Sequence, residues 1–90
     1  MTTWYVYIAR CGDSSLYTGV ALDPEARLRS HNAGRGSAYV RSRGDATLLY
    51  REAYRNKTKA LQRECEIKSW WRDRKLALIA GATNGYLHRL

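Results

Sequence analysis

Cysteine is scarce in this chain: Cys11 and Cys65 are the only two in ninety residues, too few for the disulfide scaffolds on which small secreted domains depend. Neither lies in a CxxC pair, and the two histidines show no HxxxH spacing, which argues against structural zinc. No apolar run approaches the roughly 20 residues needed to cross a bilayer, and no basic-then-apolar leader precedes the first structured run. A cytoplasmic protein without a membrane span is the expectation. Acidic residues are also few, eight against sixteen Lys and Arg, which gives a net charge of +8. No internal repeat, long linker or low-complexity block interrupts the chain, so one domain over residues 1–90 is expected. A domain this small removes only about 60–65% of its unfolded surface from water, which leaves a modest core and excludes large cofactor folds.

What is present narrows the class further. Hydrophobic residues make up 44% of the chain, and ten are Trp or Tyr, too many for a disordered basic tail. Twelve of the sixteen basic residues are arginine, whose planar fork suits bidentate contact with phosphate. A packed globule with a basic surface makes nucleic acid the first partner to consider.

The chain opens on a β-branched and aromatic run, Thr3 to Ala9, which ends at the turn residues Cys11-Gly12-Asp13-Ser14-Ser15. Leu16 to Val20 follows as a second short run, so the pair predicts a β-hairpin with a loop of three to five residues. Alternation puts Trp4, Val6 and Ile8 on one face and Tyr5 and Tyr7 on the other. An odd loop without a bulge would place Tyr7 and Tyr17 side by side. Asp23-Pro24-Glu25 is a strong helix start, with an N-cap acceptor, proline at the first position and an acid at the positive end. That helix is expected to run to about Ala33 and stop at Gly34. Residues 34–44 have three glycines and no periodicity, hence a loop. Thr47 to Tyr54 predicts a third strand, Thr58 the cap of a helix reaching about Trp71, and Asp73 to Ala80 a last helix stopped by Gly81. The fold class is α+β: a small three-stranded antiparallel sheet flanked by about three helices.

Three features carry potential chemistry. Glu64 falls between Ala60, Ile67 and Trp71 on the helical wheel, in the middle of an apolar stripe. A carboxylate there is either ion-paired with an arginine or serves as a metal ligand or general acid/base, because burying it uncompensated costs several kcal/mol. Arg27 and His31, four apart, share a helix face, as solvated residues or as a working pair. From Arg27 to Arg43 there are five arginines and no acid. Arg35, Arg41 and Arg43 are suited to phosphate contacts in that stretch, and Tyr39 to stacking on an unpaired base.

The order and spacing of these residues resemble the GIY-YIG nuclease superfamily, and the small standalone members most. Tyr5-Val6-Tyr7 is similar to the first motif tripeptide and Tyr17-Thr18-Gly19 to the second. Arg27 follows at the position of the family's arginine, His31 where members carry Tyr or His, and Glu64 at that of the metal-binding glutamate. The resemblance spans residue 3 to about residue 80. The chain departs from the pattern at Tyr5 (for glycine), Thr18 (for isoleucine), Val20 (for a lysine of some members) and Leu76 (for an asparagine). Lys68, one turn after Glu64, is a substitute cation for those missing groups and a candidate contact to nucleic acid.

The resemblance implies a metal-dependent DNA endonuclease with Tyr7, Tyr17, Arg27, His31 and Glu64 in the catalytic site. Glu64 would hold one Mg²⁺ or Mn²⁺, Arg27 would bind the scissile phosphate, and Tyr17, less readily Tyr7, would take a proton from water with help from His31. In-line cleavage would leave 5′-phosphate and 3′-hydroxyl ends. With no second domain to read a long duplex, loose sequence specificity, a preference for single-stranded or branched DNA, no small-molecule cofactor and a monomeric state are expected. The competing classes are a non-catalytic nucleic-acid-binding module and a structural basic protein assembled with RNA.

Overall fold

The computed structural model describes residues 2–35 and 44–83. Arg35 is described in its backbone only, and Tyr39, Arg41 and Arg43 lie outside the described residues. Strand β1 (Trp4–Arg10) pairs antiparallel with both β2 (Leu16–Ala21) and β3 (Thr47–Tyr54), giving a three-stranded sheet of order β2-β1-β3. Helices α1 (Pro24–Ser30), α2 (Lys57–Lys68) and α3 (Arg72–Thr83) complete the expected α+β fold. No helix among the described residues is long and apolar enough to cross a membrane.

The central strand is buried on both faces, which is why it reads as an almost unbroken apolar run. Tyr7, Ala9, Cys11, Ala21, Leu28 and Ala46 pack together on the α1 side. Val6, Ile8, Tyr50, Ala60 and Ile67 form the second cluster, which Trp70, Leu78 and Ile79 help to cover. Arg10 faces Leu16 across the hairpin, leaving a five-residue loop in which Ser14 takes a left-handed φ of 72°. The loop is odd, so Tyr17 faces Ala9 and stands on the same side of the sheet as Tyr7. Pairing with β3 shifts between Ile8 and Ala9, where Tyr50 is followed across the ladder by Leu48.

Helix α1 starts as its sequence directs: the Asp23 side chain accepts from the Ala26 amide at 3.1 Å, and Pro24 opens the first turn. The helical path then widens into a π-type turn, His31–Arg35, broken by Gly34 at φ 86°. The Asn32 amide ties that turn to the start of β3, donating to the Ala46 carbonyl at 3.0 Å and accepting from its N–H at 2.8 Å.

Three boundaries differ from expectation. Asn56, two residues before Thr58, caps α2 instead, because its side chain accepts from the Lys59 amide at 3.1 Å. That helix ends at Lys68 rather than near Trp71, with the Ser69 hydroxyl donating to the Glu66 carbonyl at 2.6 Å. Gly81 does not stop α3, which continues through it to Thr83; glycine ends a helix only where it turns left-handed, and Gly81 does not.

A buried carboxylate that the sequence analysis did not single out anchors α2 to the sheet. Glu52, 5% exposed, accepts from the Tyr50 hydroxyl, from the Tyr54 hydroxyl at 2.6 Å and from Arg63 Nε at 2.7 Å. Arg63 also reaches Glu66 at 2.8 Å and lies over the Trp70 ring. Burial pushes the Glu52 carboxyl up, but the hydrogen bonds from Arg63, Tyr50 and Tyr54 outweigh it and hold the group below the ordinary carboxylate value. In return, burial and Glu52 raise Tyr54 to about 12. A depressed carboxyl adds stability that is present above its unfolded pKa of 4.5 and is lost as the pH falls through the folded value. Arg63→Met, which strands Glu52, should cost about 2–3 kcal/mol by urea denaturation at pH 7. Its deficit should shrink below pH 4.5; a pH-independent deficit would show that packing, not charge, is the contribution.

Candidate active site

The site is built around one close approach. Tyr7 faces Gly19 across the β1–β2 ladder, and its ring lies against that glycine: a Cβ there would meet the hydroxyl at 2.7 Å and Cζ at 2.8 Å. Only glycine lets the phenol cross the edge strand in this way. The ring is fully buried, and its hydroxyl is a buried polar atom without a well-formed hydrogen bond.

Other elements bring four further groups around the Tyr7 and Tyr17 rings. Tyr17 of β2 places its ring 6.3 Å from the Tyr7 ring, tilted by 46°. His31, just beyond α1, meets Tyr17 edge-on, also at 6.3 Å between centroids. Arg27 of α1 is exposed at its surface yet close enough for its guanidinium to act on both Tyr7 and His31. Glu64 of α2 acts on Tyr7 from the opposite direction. Thus Tyr7, Tyr17, Arg27, His31 and Glu64, scattered over 58 positions of sequence from first to last, form one cluster.

The electrostatics give the groups different characters. Burial raises the Tyr7 phenol to about 12; Tyr17 and Glu64 add to the rise, and Arg27 opposes it. At neutral pH Tyr7 is a protonated hydroxyl, fit to donate and to position rather than to take a proton. Burial, followed by Arg27, lowers the His31 pKa, so its imidazole is neutral at pH 7. Both His31 ring nitrogens are buried and unpartnered within the described residues.

Glu64 is not the core carboxylate that its helical position suggested. Its side chain is 16% exposed and pairs with Lys68 at 3.2 Å, one turn on, with no arginine partner among the described residues. Trp71, its supposed neighbour on the apolar stripe, is 88% exposed because α2 has already ended. The deeply buried acid is Glu52, on the far side of the sheet from Tyr7. Its alternation with Tyr50 and Tyr54 was a legible signal, but the partner that makes it burial-competent, Arg63, is distant in sequence.

Glu64 is the cluster's one acid, and the described residues hold no group of three or more His, Cys, Asp or Glu able to bind a metal. Such a donor set does not fit tetrahedral zinc. It fits a hard divalent cation that keeps most of its waters and shares phosphate oxygens with a substrate. Lys68 holds the carboxylate in its place here, half-exposed and free to turn outward. A direct check of the geometry is Gly19→Ala: its methyl would collide with a phenol that has no room to retreat, costing about 1–3 kcal/mol in chemical denaturation. An unchanged midpoint would mean that Tyr7 does not occupy this position.

Residues 3–77 match the GIY-YIG catalytic domain. The chain is 48% identical over 79 residues to a UPF0213 protein of Staphylococcus aureus, covering 88% of this chain and 96% of that protein. A UPF0213 protein of Staphylococcus haemolyticus is 46% identical over the same coverage. Among solved structures, the UPF0213 protein of Bacillus halodurans superposes with a TM-score of 0.56 at 37% identity, over 87% of this chain and 83% of that one. An E. faecalis protein superposes with a TM-score of 0.65 at 27% identity, over 100% and 96% of the two chains. The protein therefore belongs to the GIY-YIG catalytic-domain family, a family of nucleases, and is similar throughout to its small UPF0213 members.

Proposed function

We propose that the protein is a DNA endonuclease that depends on a divalent metal, has loose sequence specificity and favours single-stranded or branched DNA. The observation that carries this reading is the convergence of Tyr7, Tyr17, Arg27, His31 and Glu64 from β1, β2, α1, the turn after α1 and α2.

Phosphodiester hydrolysis needs an activated water, positive charge on the phosphate as bonds change, and a stabilised leaving oxygen. Arg27 is the exposed cation of the cluster and binds the scissile phosphate through its fork. A shallow groove of about 430 Å³ borders it, lined also by Trp4, Ala21 and Leu22, with room for the sugar-phosphate chain. Tyr17, partly exposed between Tyr7 and His31, takes the proton of the attacking water as its own phenolic proton passes to neutral His31, which becomes the imidazolium. Tyr7 stays protonated and donates from the floor of the site, orienting the water or a phosphate oxygen. Glu64 would hold Mg²⁺ or Mn²⁺ in exchange for its Lys68 contact, and the ion would supply charge stabilisation to the phosphate oxygens. No other cofactor is invoked. The arginine-rich stretch from Arg35 to Arg43, with Tyr39 as a stacking ring, is the proposed backbone-binding surface, and the protein acts as a cytoplasmic monomer.

The test is incubation of wild type and Glu64→Ala with single-stranded, duplex and branched DNA, with and without Mg²⁺. Wild type should cut only with the metal, leaving 5′-phosphate ends. Glu64→Ala should cut on the order of 10²–10³-fold more slowly while still binding DNA. DNA binding by wild type without metal-dependent cutting would instead identify a non-catalytic binding module.

A further inference from the structure

The two adjacent tryptophans at the α2–α3 junction have opposite environments. Trp70 packs against the Val6–Ile8 cluster, and its ring is covered by the guanidinium groups of Arg63 at 5.1 Å and Arg74 at 4.1 Å. Trp71 is 88% exposed, far more than the other large apolar side chains exposed among the described residues, of which Leu22 at 52% is next. The backbone beneath it is fixed: its carbonyl accepts from the Arg74 and Lys75 amides at 3.1 and 3.4 Å as α3 begins. An indole this exposed, on a backbone fixed by the helix start, does nothing for the core.

Its surroundings select a partner. Lys68 precedes Trp71 by three residues, Arg72 follows it, and Lys75 lies one helical turn further on, against Asp73 as the only acid between residues 68 and 75. The Lys75 side chain is partly buried and lies close enough to feel the Lys68 charge; burial, and then that charge, push its pKa down. Lys68 is itself in contact with Glu64 at 3.2 Å. The positive surface around Trp71 is thus continuous with the cluster assigned to phosphodiester cleavage. Indole faces beside backbone-binding cations form the platform that single-stranded nucleic acids use, because every base has a π-face.

We propose that Trp71 is a base-stacking platform for single-stranded DNA, with Lys68 and Lys75 holding the phosphates between it and Glu64. This rests on the nuclease reading and deepens it: an unpaired base docked on Trp71 sets the strand's path past Glu64 and accounts for a preference for unpaired DNA.

The experiment is fluorescence anisotropy in EDTA, with a labelled oligothymidylate of about twelve nucleotides and a blunt duplex of the same length. It compares wild type, Trp71→Ala and Trp71→Phe, with thermal melting to verify that all are folded. Trp71→Ala should weaken oligothymidylate binding by about 5- to 150-fold, the range for loss of one base–aromatic stack. Trp71→Phe should recover most of that loss, and duplex binding should change less than about twofold. On single-stranded substrate with Mg²⁺, Trp71→Ala should raise KM and leave kcat unchanged. Unchanged oligothymidylate binding, or an equal loss for duplex, overturns the platform while leaving the nuclease reading intact. Wild type that binds neither DNA overturns both. Trp71-dependent flotation on phosphatidylserine vesicles, with DNA binding indifferent to Trp71, would assign the indole to a membrane surface and also overturn the platform.

Discussion

The passage of the Tyr7 ring over Gly19 is the constraint on which the site depends. A phenol on a central strand would ordinarily end in the core beneath a helix. Here the neighbouring edge strand has no side chain at the crossing point, so the hydroxyl can meet groups from α1 and from α2, helices otherwise separated by the sheet. The odd five-residue hairpin loop is the second requirement, because an even one would send Tyr17 to the opposite face. These two geometric facts place two tyrosines, an arginine, a histidine and a glutamate around one point in a chain with little core to spend on anything else.

Helix α2 carries both kinds of acid-base interaction in consecutive positions. Arg63 reaches the buried Glu52 and fixes how the helix lies on the sheet, and Glu64 beside it faces the Tyr7 cluster. The buried ion pair therefore ties to the sheet the helix that carries Glu64. The Lys68 contact is of another kind: it joins successive turns of one helix, and its lysine is half-exposed.

Much of this was legible in the sequence where local rules decide. β-Branched and aromatic runs ending at turn residues located the hairpin strands, β3 fell at Thr47–Tyr54 as expected, and Asp23-Pro24 marked the start of α1. The resemblance to the GIY-YIG family implied a common site for Tyr7, Tyr17, Arg27, His31 and Glu64, and the fold brings them near one another. What escaped was set by distant partners or by competition between nearby ones. Glu52 needs Arg63, eleven residues away, before its burial makes sense. Asn56 outcompetes Thr58 as cap because the chain leaves β3 only two residues earlier. Trp71 belongs to the helical wheel of α2 in sequence but not in space, since Ser69 ends the helix first.

The most direct measurement of the site's central property is a Mn²⁺ titration followed by electron paramagnetic resonance, on wild type and Glu64→Gln. One bound ion in wild type, lost in Glu64→Gln with the fold intact by circular dichroism, is the predicted result. Equal Mn²⁺ binding by the two proteins would contradict the assignment of Glu64 as the metal-holding residue of this cluster.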